Sequence, residues 1–83
     1  MYSVEIKQRA RRALARLSER DYTRMMEVIR GLSSNPRPVG CIKLTGRDAW
    51  RLRVGVYRIV YEINDTELSI FVIDAGHRRE VYR

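Results

Sequence analysis

Trp50-Arg51-Leu52-Arg53-Val54-Gly55-Val56-Tyr57-Arg58-Ile59-Val60-Tyr61-Glu62-Ile63 alternates bulky apolar and charged side chains on both sides of a glycine. Successive strand residues point to opposite faces. The run therefore reads as two strands joined by a tight turn at Gly55. One face carries Trp50, Leu52, Tyr57, Ile59 and Tyr61 and suits a core. The other carries Arg51 and Arg53, with Arg58 just past the turn. Pairing around Gly55 brings three guanidiniums together. Like charges repel, so the cluster reads either as a site visited by an anion or as a solvated face where Glu62 or Asp48 pairs one arginine.

Downstream, Asn64-Asp65 marks a turn. Leu68, Ile70 and Val72, interleaved with Ser69, Phe71 and Ile73, then form a third strand that Ala75-Gly76 is expected to break. Val81-Tyr82-Arg83 offers a short last one. Upstream, Asn35-Pro36-Arg37-Pro38-Val39-Gly40 is a loop, because neither proline suits a helix interior or a central strand. Before it, Tyr22, Met25, Met26 and Ile29 follow the i, i+3, i+4, i+7 spacing of a helix face. Gly31 and Ser33-Ser34-Asn35-Pro36 stop that helix, and Ser18 with Asp21 gives a capping signal at its start. Ala10, Ala13, Leu14 and Leu17 form a second stripe, opposite Arg9, Arg11, Arg12 and Arg16. That basic face is either solvated or, if the partner is a nucleic acid, a contact for its phosphates. Val4 and Ile6 alternate with polar neighbours as a short first strand. The expectation is an α+β fold in one domain, residues 1–83. An N-terminal strand and an antiparallel two-helix hairpin pack on one face of a small, twisted antiparallel sheet and leave the arginine face open.

Composition narrows the function. Of 83 residues, 17 are Lys or Arg and 10 are Asp or Glu, a formal charge of +7. Only Lys7 and Lys43 are lysines; the other 15 cations are arginines. Arginine is favoured where planar, bidentate contact with phosphate or carboxylate matters. Arginine-rich codon usage is the competing explanation. The balance points to an anionic partner, nucleic acid or acidic protein. The single cysteine, Cys41, excludes an internal disulfide framework, and no Cys/His cluster has zinc spacing. No apolar run approaches the roughly 18 residues of a membrane span, and the N-terminus lacks a signal-peptide pattern. A cytoplasmic protein without metal, cofactor or membrane partner is expected. The end of the chain, Gly76-His77-Arg78-Arg79-Glu80-Val81-Tyr82, packs a proton-transfer candidate, cations, a carboxylate and a phenol into seven positions.

These segments together, Lys43-Leu44-Thr45-Gly46, the Trp50–Ile63 hairpin and the Gly76–Tyr82 tail, resemble the RelE/ParE superfamily of bacterial and archaeal toxins. The resemblance covers essentially the whole chain and is nearer to the RelE branch, whose members cut messenger RNA in the ribosomal A site. It implies a ribosome-dependent endoribonuclease that uses no metal or cofactor. A ribose 2′-hydroxyl would attack the adjacent phosphate, giving a 2′,3′-cyclic phosphate and a 5′-hydroxyl. The implied partners are the ribosome, mRNA and a cognate antitoxin in a hetero-oligomer. By the same resemblance, Arg51 and Arg53 are basic residues of the active face that bind substrate. Arg58 stabilises charge on the transition state. Arg78 serves the leaving oxygen or the phosphate, and Tyr82 is the candidate base. A tyrosine with a reference pKa of about 10 is a weak base at neutral pH unless guanidiniums favour its phenolate. His77 and Glu80 are therefore alternative bases.

Two departures stand out. Positions that are lysine in some relatives are Arg51 and Arg53 here, and Val56 occupies a turn position that is often polar. A ParE-type gyrase inhibitor on the same fold is the alternative function; a catalytically inactive antitoxin-binding module is the third.

Overall fold

The computed structural model describes residues Met1–His77. The expected last strand at 81–83 and the tail residues Arg78, Glu80 and Tyr82 lie outside the described residues. In chain order the elements are β1 (Ser3–Ile6), α1 (Gln8–Ala15), α2 (Glu19–Gly31), β2 (Ile42–Lys43), β3 (Trp50–Val54), β4 (Tyr57–Asn64) and β5 (Ser69–His77). They form one five-stranded sheet in the order β1-β5-β4-β3-β2, with α1 and α2 covering one face.

Local chemistry explains the helix ends. Ser18 has extended backbone angles, and its Oγ accepts a hydrogen bond from the Asp21 N–H at 3.2 Å, satisfying one otherwise orphaned donor of α2. Glu19 and Asp21 place negative charge at that positive helix end. The helix stops at Gly31, ahead of Asn35-Pro36.

The core lies between the helices and the sheet. Leu14, Met25, Ile29, Leu32, Ile59, Tyr61, Ile70 and Val72 are all at or below 2% exposure. Each such side chain contributes roughly 1.5–3 kcal/mol on burial. Tyr61 belongs to this layer, and its hydroxyl donates to the Pro36 carbonyl at 2.8 Å. The phenol thereby finds a partner and the proline-bearing loop is fastened to the core. Outside it, Arg37 stands 5.0 Å over the Trp50 ring and forks onto Asp65 with bonds of 3.2 and 2.9 Å. The Tyr2 hydroxyl donates to the same carboxylate at 2.6 Å. One carboxylate thus ties the chain start, the proline loop and the β4–β5 turn.

The sheet is mixed, a correction to the expected all-antiparallel arrangement. β1 pairs parallel to β5, Ser3 opposite Ser69 through Ile6 opposite Val72. Alternation identifies a strand but says nothing of its partner or direction. The third strand of the meander also differs. Leu68 lies in the turn at φ 52°, and β5 begins at Ser69 and runs through Ala75 and Gly76 to His77. It continues through the expected break and carries a β-bulge just before it. Val60 faces Asp74 while Tyr61 faces Val72, so Ile73 is the extra residue. The bulge lets Val72 and Ala75, three positions apart, both reach the core. Gly76 takes φ 141°, a conformation other residues rarely adopt. Among the described residues, no helix is long and apolar enough to cross a membrane.

Candidate active site

The β3–β4 hairpin positions the arginines. Val54 pairs with Tyr57 across Gly55-Val56, and Gly55 has φ 62°. Glycine first in a two-residue loop with positive φ fits a type II′ turn, whose twist matches the strands. A side chain at Gly55 would be strained by that φ, and Arg24 Nη1, 3.2 Å from where a Cβ would stand, would have to give by a few tenths of an ångström.

From this turn the hydrogen-bonding parity follows. The pair flanking a two-residue loop exchanges its backbone bonds, and the next pairs alternate. Leu52–Ile59 is then a bonded pair and Arg53–Arg58 a non-bonded one, where Cα atoms approach to about 4.5 Å and side chains crowd. Two arginines directly opposite destabilise a bare sheet. Arg51, opposite Val60, shares their face. The register thus brings Arg51, Arg53 and Arg58 together on the side away from the helices.

The face is less open than expected. Arg51 is 7% exposed and Arg58 3%, whereas Arg53 is exposed. Arg51 Nε is buried with no hydrogen-bond partner among the described residues. Burial, then the neighbouring Arg53 charge, lowers the Arg51 pKa from its ordinary value; a guanidinium stays charged at neutral pH nonetheless. Among the described residues, Asp48 is not spent on an arginine: it lies 3.8 Å from Lys43. A buried guanidinium with an unused donor is costly until an anion supplies the acceptor. Phosphate, with several oxygens and negative charge, is such an anion.

His77 is placed elsewhere. It lies opposite Tyr57, while Arg58 lies opposite Gly76. Directly opposed residues share a face. His77 therefore sits on the helix side with Tyr57, their ring centroids 6.2 Å apart and nearly perpendicular. The Tyr57 hydroxyl donates to Asp21 on α2 at 2.8 Å, and that bond, with burial, pushes its pKa up. Unbroken alternation from Ile70 and Val72 would turn His77 towards the arginines; the bulge at Ile73 reverses it. The structure groups Arg51, Arg53 and Arg58 and leaves His77 across the sheet. Arg78, Glu80 and Tyr82 lie outside the described residues.

On α1, Arg11, Arg12 and Arg16 are exposed, with Arg11 Nε donating to the Ile6 carbonyl. Arg9 reaches Asp74 at 3.3 Å. The contacts of Arg24 over Gly55, Asp21 with Tyr57 and Arg37 over Trp50 had no signal in the sequence. Each joins residues far apart in the chain without a shared periodicity.

Comparison with known proteins agrees with this geometry. Residues 4–82 match the family of ParE toxins of type II toxin–antitoxin systems, parDE. Toxin RelG of Mycobacterium tuberculosis is 31% identical over 84 residues, spanning 99% of this chain and 97% of that protein. The crystal structure of the toxin–antitoxin complex RelBE2 from the same organism contains a similar chain, with a TM-score of 0.83 and 28% identity. The match covers 93% of this chain and 98% of that one. The isolated E. coli RelE toxin matches with a TM-score of 0.79 and 26% identity, over 99% of this chain and 92% of its own. The archaeal RelE–RelB complex from Pyrococcus horikoshii gives 0.79 and 29%, over 93% and 94%. The mixed sheet, its two covering helices and the arginine hairpin thus belong to a RelE-like toxin of a type II toxin–antitoxin system, a member of the RelE/ParE superfamily.

Proposed function

We propose that this toxin is a ribosome-dependent endoribonuclease that cuts mRNA in the A site and is neutralised by a cognate antitoxin. The observation that carries the reading is the clustering of Arg51, Arg53 and Arg58 on one sheet face, with Arg53 directly opposite Arg58. Such crowding of like charge suits a face that receives phosphate.

In this reading the ribose 2′-oxygen attacks the adjacent phosphorus, and the bond from phosphorus to the 5′-oxygen breaks. The 2′-hydroxyl proton passes to a base, and the leaving 5′-oxygen gains one. Arg51 and Arg53 hold the phosphate oxygens. Arg58 meets the charge that builds on the five-coordinate phosphorus, an electrostatic contribution of about 3–4 kcal/mol for one well-placed donor. Arg78 serves the leaving oxygen and Tyr82 accepts the proton. The position of His77 on the helix side, beside Tyr57, favours Tyr82 over His77 as base. A ribosomal substrate places the protein in the cytoplasm, and the basic face of α1 suits ribosomal RNA phosphates. The antitoxin follows from the kinship with RelE chains found in complexes with RelB.

The test is cell-free translation of a defined mRNA with primer extension, with and without ribosomes. Ribosome-dependent cuts that vanish in Arg58→Ala are expected. A second reading, inhibition of DNA gyrase, is favoured by the family match to ParE toxins. Intact mRNA together with blocked supercoiling by gyrase would establish it instead.

A further inference from the structure

β5 runs to His77, whose ladder partner is Tyr57, the first residue of β4. Arg78 and Tyr82 lie one and five positions beyond His77 in the chain. The reaction proposed above needs both at one phosphate. What their side chains can reach depends on where, and in which direction, the chain leaves the Tyr57–His77 pair. A misplacement of about 1 Å can slow a reaction roughly 10²-fold.

This pair is held from the helix layer. The Tyr57 ring packs against the core and meets the His77 ring edge-on, with centroids 6.2 Å apart and planes at 79°. Edge-on contact is a preferred and directional arrangement of rings. The far end of the phenol is fixed as well, because its hydroxyl donates to Asp21 Oδ2 at 2.8 Å. A bond to a carboxylate is stronger than one between neutral groups. Asp21 is itself well anchored. It sits in the first turn of α2, its N–H donates to Ser18 Oγ, and the helix buries Met25 and Ile29 in the core. A continuous line of contacts thus runs from the start of α2 through Tyr57 to His77. Phenylalanine at position 57 would keep the ring packing and the edge contact. The hydroxyl adds only the tether to α2.

The tether stands beside the candidate site. Arg58 follows Tyr57 in β4, points to the opposite face and lies opposite Gly76, the residue before His77. Two adjacent positions of β4 therefore divide the work: Tyr57 holds the chain at His77 and Arg58 faces the phosphate.

We infer, resting on the endoribonuclease reading above, that Tyr57 and Asp21 are positioning residues. Acting through His77, they fix where the segment bearing Arg78 and Tyr82 leaves the sheet relative to Arg58. His77 then serves as a bearing surface for that segment and carries no proton in the reaction.

The test uses the full chain. Tyr57→Phe is expected to lower the turnover of mRNA cleavage on ribosomes at least tenfold, with the half-saturating ribosome concentration unchanged within twofold. Asp21→Ala is expected to match it, and the double variant to lose no more than either alone, because both remove one bond. Asp21→Asn keeps an oxygen acceptor and is expected to restore cleavage to within threefold of wild type. Tyr61→Phe removes a hydroxyl tie elsewhere, to Pro36, and is expected to cleave like wild type. In 15N-labelled chains, the amide signals of residues 78–83 are expected to shift in Tyr57→Phe and to stay in place in Tyr61→Phe. Unchanged cleavage in Tyr57→Phe, a loss confined to substrate affinity, an equal loss in Tyr61→Phe, or unmoved amides at 78–83 would overturn the inference. Absence of cleavage by the wild-type chain would instead end the endoribonuclease reading. The amides at 78–83 would then decide on their own whether Tyr57 holds this segment.

Discussion

The two faces of the β3–β4 hairpin are built from interleaved residues and obey opposite rules. On the helix side, Leu52, Val54, Ile59 and Tyr61 satisfy one another and are buried in a continuous core. On the other side, Arg51 and Arg58 are also nearly buried, yet they crowd like charge and leave Arg51 Nε unused. Burial on the first face is a source of stability. On the second it is a liability that stability alone does not explain, as the proposed phosphate-receiving role of that face would require. Substitutions should therefore act differently according to which face they touch.

The largest effect is expected at Ile59→Ala. Truncating a fully buried isoleucine costs about 2–5 kcal/mol, a large part of what a domain of this size has. Urea unfolding should show the midpoint collapse, with cleavage lost because the chain unfolds. Arg58→Ala, one residue away on the opposite face, should leave the chain folded and lower cleavage by roughly 10²–10³-fold, the usual loss for one transition-state donor. A parallel loss of stability and activity in both variants would erase the distinction between the faces.

A third expectation concerns Tyr61, whose polar end is tied within the core. Tyr61→Phe should cost about 1 kcal/mol for the lost bond to Pro36 and leave cleavage unchanged. Burial, the first cause, pushes the Tyr61 pKa well above that of free tyrosine, and hydrogen bonds to carboxylates raise those of Tyr2 and Tyr57. The unfolded chain therefore gives up these protons first. Their stabilisation is complete below about pH 10 and is lost as pH rises through the folded values. Ultraviolet titration should show late tyrosinate absorbance coinciding with unfolding, later than in Tyr61→Phe.

The smallest effect is expected at Asp65→Asn, in the exposed tie among Tyr2, Arg37 and the β4–β5 turn. Arg37, chiefly by hydrogen bonding, holds the Asp65 carboxyl below its usual range, with Tyr2 adding to it. That contribution is present above the unfolded carboxyl pKa of about 4 and disappears as pH falls through the folded value. Thermal melts should show a small drop at neutral pH that shrinks in acid. A drop of the same size at all pH values would dissociate the tie from the charge of Asp65.

Much of this was legible in the residues because its causes are local. The hairpin and the shared face of Arg51, Arg53 and Arg58 followed from alternation about Gly55, and the start of α2 followed from Ser18 and Asp21. What escaped depends on distant partners. Nothing near Ser3–Ile6 announces a parallel neighbour in β5. Nothing near Arg51 announces its burial. The side to which His77 turns depends on one extra residue, Ile73, which looks like an ordinary member of a β-branched run. Patterns of period two read correctly only until such a bulge changes the phase.

The scarcity of lysine has a practical consequence for those who label this protein. Lys43 is in β2, and Lys7 follows β1, the two outermost strands among the described residues. Four inter-strand steps separate these strands, about 19 Å at the usual spacing. Apart from the terminal amine, amine-directed dyes and cross-linkers will mark the two rims and leave the guanidinium face chemically untouched. A pair of dyes on these lysines would serve as a built-in ruler across the sheet while the face between them keeps all its charge.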